Sequence, residues 1–171
     1  MPKQNIILVG FMGTGKTTVG CLLSERTDFP LVDMDTQIEA EEGRSINDIF
    51  AQSGEPYFRQ LEREMVQKLA KKSGCIISAG GGIVLNPENI SDFTQSGLVV
   101  CLSASPEKLL ERLKNDSTRP LLASDKQDQI IQLLADRKPL YEAIDFQIQT
   151  DTFSPEQIAD QIIARYNKIN P

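Results

Sequence analysis

Five short apolar runs punctuate the chain: Ile6 to Val9, Leu31 to Val32, Cys75 to Ser78, Leu98 to Leu102 and Phe146 to Ile148. Between them, apolar residues recur three and four positions apart, the spacing of helices with one buried face. Val19, Leu22 and Leu23 line such a face early in the chain, and Phe58, Leu61, Met65 and Leu69 form the stripe of a long helix beginning near Glu55. Leu109, Leu110 and Leu113 repeat the pattern, as do Ile158, Ile162 and Tyr166. Strands alternating with helices predict an α/β fold in three layers, α/β/α, around a central five-stranded parallel sheet. In such sheets ligands gather beyond the carboxyl ends of the strands, so the residues that follow each run are where chemistry is sought.

Local signals set the element boundaries. Gly43 closes the helix after Leu31 to Val32, Ser45 caps the next one, and Gly54 ends that short helix before the long one. Ser105 and Pro106 are cap and first residue of a later helix, with Arg112 facing outward. A helix over Gln127 to Asp136 leads to Pro139, which is expected to kink or interrupt it. Ser154-Pro155-Glu156-Gln157 reads as a capping box. No internal repeat or domain boundary is visible, which predicts one domain over residues 1–171.

The first run is followed by Gly10-Phe11-Met12-Gly13-Thr14-Gly15-Lys16-Thr17-Thr18. Gly10, Gly15, Lys16 and Thr17 match G-x-x-x-x-G-K-[ST], the P-loop, with a strand before it and a helix after it. Its backbone N–H groups cradle phosphates, the lysine reaches the β/γ oxygens and the hydroxyl ligates Mg²⁺. The second run ends in Asp33-Met34-Asp35. Alternation along an extended segment puts both carboxylates on one face, while Asp35 could instead be the N-cap of the helix containing Ile38. Asp33 is a candidate partner for Mg²⁺ held by Thr17.

Arg59 and Glu62 are neighbours three apart on the long helix, and sequence alone favours a solvated surface pair. Gly80-Gly81-Gly82 follows the third run, where bare backbone serves either a tight turn or close approach to a ligand. The connection Asn115 to Asp125 has a polar start and end around Leu121 and Leu122. It reads either as a segment packed on the domain or as a lid delivering Arg119 to the phosphates.

Composition narrows the chemistry. With 24 acidic and 18 basic residues in 171, net charge −6, the chain has the wrong sign for a nucleic-acid or anionic-membrane binder. A strand opening at Asn5 and no apolar run near membrane-spanning length lead to the expectation of a soluble, cytoplasmic protein. Histidine is absent, which removes imidazole bases and His-based metal sites. Cys21, Cys75 and Cys101 have no metal-ligand spacing and are expected to be small core residues.

Taken together, GFMGTGKTTVG, the DMD of Asp33 to Asp35, GRSINDIFAQSGEPYFRQLE, GGG, RPLL from Arg119 and RKPLYEAID from Arg137 resemble the shikimate kinase family of P-loop kinases. The resemblance runs from about Ile6 to Tyr166. It implies a P-loop kinase fold with a mobile lid at about 115–125, and ATP-dependent phosphorylation of the 3-hydroxyl of shikimate in chorismate and aromatic amino acid biosynthesis. It further implies ATP phosphates on Gly13, Thr14, Gly15, Lys16, Thr17 and Thr18, Mg²⁺ on Thr17 and Asp33, and Arg112 near adenine. Shikimate is implied to rest on Asp35, Arg59, Gly80, Gly81, Gly82 and Arg137. Lys16, Asp35 and the lid residue Arg119 are the implied catalytic groups, in a protein expected to be a monomer. One departure is Gly20-Cys21, where the family more often has arginine after the glycine.

Overall fold

The computed structural model describes residues 4–114 and 126–171. Strands β1 (Asn5–Val9), β2 (Leu31–Asp33), β3 (Ile76–Ser78), β4 (Gly97–Ser103) and β5 (Gln147–Gln149) form one sheet in the order β2-β3-β1-β4-β5. All four pairings are parallel, with Ile7 of β1 opposite Ile77 of β3 and Val99 of β4. Helices α1 (Lys16–Thr27), α2 (Met34–Glu42), α3 (Ile46–Leu69), α4 (Pro87–Ser96), α5 (Pro106–Lys114), α6 (Lys126–Glu142) and α7 (Pro155–Ile169) cover it, with a 3₁₀ turn at Gly81–Leu85.

The alternation along β1 explains the three layers. Ile7 and Val9 point into a core shared with Ile38, Phe58, Met65, Phe93 and Leu109, whereas Ile6 and Leu8 point into a second core with Leu23, Ile158, Ile162 and Tyr166. A strand buried on both faces must be apolar throughout, which is why Asn5 to Val9 reads as a continuous run rather than alternating with polar residues. Its buried exception, Asn5, is satisfied by donating to Lys72 O at 2.8 Å and accepting from Cys75 N at 3.0 Å. Because β1 lies inside the sheet with β3 on one side and β4 on the other, its carboxyl end opens into a crevice, and the P-loop occupies that place.

Most boundaries fall where the sequence puts them. Ser45 accepts from Asp48 N at the start of α3, and Ser154 with Gln157 forms the capping box of α7. Gly54 breaks α3 with φ 81° and ψ 167°, although helical hydrogen bonding continues on both sides.

Three points differ from the sequence reading. Helix α4 is absent from the apolar pattern because it offers only Ile90 and Phe93; Asn86 and Pro87 start it as cap and first residue. Pro139 does not interrupt α6: buried Arg137, Tyr141 and Ile144 hold the chain on either side of it, and Ala143 N donates to Pro139 O at 3.2 Å. Cys21 is exposed on α1, in contrast to buried Cys75 and Cys101. The 115–125 segment, with Arg119, Leu121 and Leu122, lies outside the described residues.

Candidate active site

Helix α1 begins at Lys16 with no side-chain cap and no acidic residue in its first turn. Its opening N–H groups carry the positive end of the helix dipole, an arrangement that receives phosphate. Thr14 is buried and donates its hydroxyl to Phe11 O at 2.8 Å, which ties the loop to itself. Lys16 Nζ donates to Gly10 O at 2.6 Å and Phe11 O at 3.0 Å, so the ammonium lies across the mouth of the loop.

The loop separates two recesses. On one side, Gly13, Thr14, Gly15 and Thr18 line a cavity of about 250 Å³ with Arg112, Thr150, Phe153 and Pro155. Arg112 is not a plain surface residue: its guanidinium donates to Gly13 O at 2.9 Å and to Thr150 Oγ1 at 3.3 Å. On the other side, Lys16 and Thr17 line a cavity of about 620 Å³ shared with Asp33, Asp35, Arg59, Glu62, Gly80, Gly81, Gly82 and Arg137. Every described residue expected at the acceptor or metal thus reaches one space.

The two aspartates meet there for a different reason than alternation. The chain turns helical at Met34, so Asp33 is the last extended residue and the N-cap of α2, accepting from Thr36 N at 3.0 Å. Asp35 is therefore not the cap but a first-turn residue. Both carboxylates stay at the cavity because a helix that starts at a strand end turns its first residues around that end. Asp33 and Thr17 bring hard oxygen donors to one wall, a set that suits Mg²⁺, which keeps several waters and substrate oxygens as ligands. Among the described residues no group of three or more His, Cys, Asp or Glu side chains is placed to hold a metal ion.

Arg59 and Glu62 also depart from the surface-pair expectation. Glu62 is 2% exposed and accepts from Arg59 Nη1, while Arg59 Nε and Nη2 each donate to Glu55 Oε1 at 3.2 Å. Burial pushes the Glu62 carboxyl above its ordinary range, Arg59 pulls it back, and Asp35 adds to the rise. A raised carboxyl means that the fold prefers the protonated form. That contribution to stability is complete below the usual carboxylate range and is lost as pH rises through the elevated folded value. Urea unfolding of wild type against Glu62→Gln is therefore expected to show the wild type losing ground across that window.

Arg137, on α6, is buried at 8% exposure, and its Nε has no hydrogen-bond partner among the described residues. Arg137 also lines the larger cavity, so its guanidinium is available to an anion there. One turn on, Tyr141 donates to Gly81 O at 2.5 Å, binding α6 to the glycine segment.

The glycines are needed for side chains as well as for a ligand. A Cβ added at Gly82 would fall 2.2 Å from Arg59 Nη1, and one at Gly80 would fall 3.1 Å from both Asp35 Oδ1 and Glu62 Oε2. Gly82→Ala should therefore displace the Arg59 guanidinium and raise the KM for the acceptor by about tenfold or more, the loss of one charge-assisted bond, with the KM for nucleotide unchanged. Initial-rate kinetics varying each substrate checks this.

Sequence reading missed several lining residues. Glu62 sits in the apolar stripe, four after Phe58 and three before Met65, and that position was the available signal for a buried carboxylate. Phe58 was read as core alone yet also lines the cavity, as does Phe50. Thr150 and Phe153, which line the smaller cavity, carried no local motif. Cys101, behind the loop, has its thiol pushed up to about 11 by burial and stays a protonated core residue.

A shikimate kinase family profile matches residues 12–167. The chain belongs to the shikimate kinase family. It is 45% identical over 94% of both chains to shikimate kinase of Caldicellulosiruptor bescii. Among solved structures it is similar to shikimate kinase from Acinetobacter baumannii in complex with shikimate, with TM-score 0.86, 34% identity and coverage of 94% of this chain and 91% of that one. Shikimate kinase from Aquifex aeolicus aligns with TM-score 0.83, 36% identity and 97% coverage of each. The five-stranded parallel sheet and P-loop placement described above are the fold of that family.

Proposed function

We propose that the chain transfers the γ-phosphoryl group of ATP to the 3-hydroxyl of shikimate, giving shikimate 3-phosphate and ADP, in chorismate and aromatic amino acid biosynthesis. The observation that carries this is the placing of two recesses on opposite sides of one P-loop, with Lys16 and Thr17 on the acceptor side. ATP rests its phosphates on Gly13, Thr14, Gly15, Lys16, Thr17 and Thr18, with adenine toward Arg112, Phe153 and Pro155. Shikimate lies in the larger cavity, its carboxylate on the Arg59 and Arg137 guanidinium groups and Gly80 to Gly82 beneath it. Two planar forks are the right recognition for a small carboxylate, and they supply locally the positive charge that an acidic chain lacks overall.

In the reaction the acceptor hydroxyl oxygen bonds to the γ-phosphorus as the bond to the bridging β–γ oxygen breaks and ADP leaves. Asp35 orients the hydroxyl and takes its proton as the new bond completes. Lys16 follows the charge onto the transferring oxygens, and the first amides of α1 hold the phosphates from the other side. Thr17 and Asp33 would hold Mg²⁺, which neutralises phosphate charge when bound. Arg119 is proposed as the closing group of a lid at about 115–125, keeping water from the phosphoryl group.

One chain builds both recesses, so a cytoplasmic monomer of one domain, residues 1–171, is a sufficient working unit, with small-molecule partners and no nucleic acid. No helix among the described residues is long and apolar enough to cross a membrane. Turnover of ATP across a panel of hydroxy acids tests the acceptor: turnover should require shikimate, whereas faster turnover with a sugar acid would overturn the assignment.

A further inference from the structure

The break in α3 divides the acceptor wall into two parts. Ile46, Asn47 and Phe50 line the cavity from before Gly54, and Phe58, Arg59 and Glu62 line it from after. The Phe50 and Phe58 rings meet across the break with centroids 4.8 Å apart. The width of the cavity therefore depends on the angle between the two halves of one helix. Gly54 itself does not fix that angle. Its φ of 81° and ψ of 167° belong to a region open essentially to glycine, where the backbone has few barriers to turning.

What spans the break is Arg44, which sits just past the end of α2. Its guanidinium donates to Gln52 Oε1 at 3.1 Å and Ser53 Oγ at 2.9 Å, both on the last turn before Gly54, and to Glu42 Oε2 at 3.1 Å on α2. Tyr57, on the first turn after Gly54, places its ring 5.6 Å from the Arg44 guanidinium carbon and donates its hydroxyl to the same Glu42 carboxylate, 3.1 Å from each oxygen. The first half of α3, the second half and the end of α2 thus converge on one planar cation and its carboxylate. Arg44 and Glu42 are both half-buried, so the pair is screened less than an open surface bridge. None of Glu42, Arg44, Gln52, Ser53 or Tyr57 lines the acceptor cavity.

We propose that Arg44 is a positioning residue for acceptor binding: with Glu42 and Tyr57 it sets the angle of α3 at Gly54, and through it the spacing of Arg59 from the Asn47 and Phe50 wall. This rests on the reading of the larger cavity as the shikimate site. A lysine keeps the charge but can neither bridge three partners in a plane nor stack on the Tyr57 ring, so the change is not conservative here. The nucleotide recess draws on the P-loop, α1, α5, the segment after β5 and the start of α7, none of which the clasp touches, and so should be indifferent to it.

The test is calorimetric titration of shikimate into wild type, Arg44→Lys and Tyr57→Phe, alongside the KM for ATP and thermal unfolding of each. Arg44→Lys is expected to weaken shikimate binding about tenfold, with the KM for ATP within about twofold of wild type. Tyr57→Phe should act in the same direction more weakly, and the double variant should lose less than the product of the two, because both work through Glu42. A merely structural role would lower the unfolding temperature and leave the shikimate affinity in place. Wild-type shikimate binding matched by both variants, or shikimate and ATP weakened equally, overturns the clasp and leaves the acceptor assignment standing. A wild type that takes up no shikimate overturns both.

Discussion

Lys16→Ala is expected to abolish phosphoryl transfer, lowering kcat by on the order of a thousandfold or more in a folded protein. The lysine is the one ammonium placed at the loop by the sequence motif itself, and its two carbonyl partners, Gly10 and Phe11, already hold it at the phosphate mouth. In the proposed reaction it would exchange those carbonyls for oxygens that gain charge as the phosphoryl group moves, so its contribution would grow toward the transition state. Such an interaction shows in kcat as well as in kcat/KM. Circular dichroism and unfolding should report an intact fold, because the side chain packs on its own loop rather than in either core. Turnover within tenfold of wild type would remove Lys16 from the chemistry.

Arg59→Ala and Arg137→Ala are expected to raise the KM for shikimate by roughly tenfold to a hundredfold each, the range for losing one charge-assisted hydrogen bond. The KM for ATP should stay near wild type, since neither residue lines the recess on the Arg112 side. The two differ in stability. Arg59→Ala leaves Glu62 buried at 2% exposure without the cation that offsets its desolvation, and should destabilise by about 1–3 kcal/mol. Arg137 acts on Glu62 more weakly than Arg59 does, so Arg137→Ala should destabilise less. Equal stability loss with unchanged shikimate kinetics would place both arginines outside the site.

The fold was legible because it rests on periodicity. Runs such as Ile6 to Val9 are buried on both faces and so stay apolar throughout, and α7 carries its own cap in four consecutive residues. Helix α4 was not legible, as two apolar side chains over ten residues make no stripe. Contiguous signals marked residues that line the two cavities: the P-loop, the two aspartates and the three glycines. Asp33 and Asp35 were placed together by an argument from alternation that does not hold, yet they share a cavity because of how α2 leaves β2. Residues whose roles depend on meeting across the fold were hidden. Glu62 needed the knowledge that its helix face is buried against the glycine segment, and Arg112 and Tyr141 needed partners 99 and 60 residues away. The family resemblance supplied Arg112 where local pattern read only surface.

The central claim is that one P-loop serves two recesses, so that ATP turnover waits on an acceptor in the second. ADP release measured with ATP and Mg²⁺, with and without shikimate, tests it most directly. Rapid release that requires shikimate, together with formation of shikimate 3-phosphate in equal amount, is the predicted result. ADP release at the same rate with and without shikimate would contradict it.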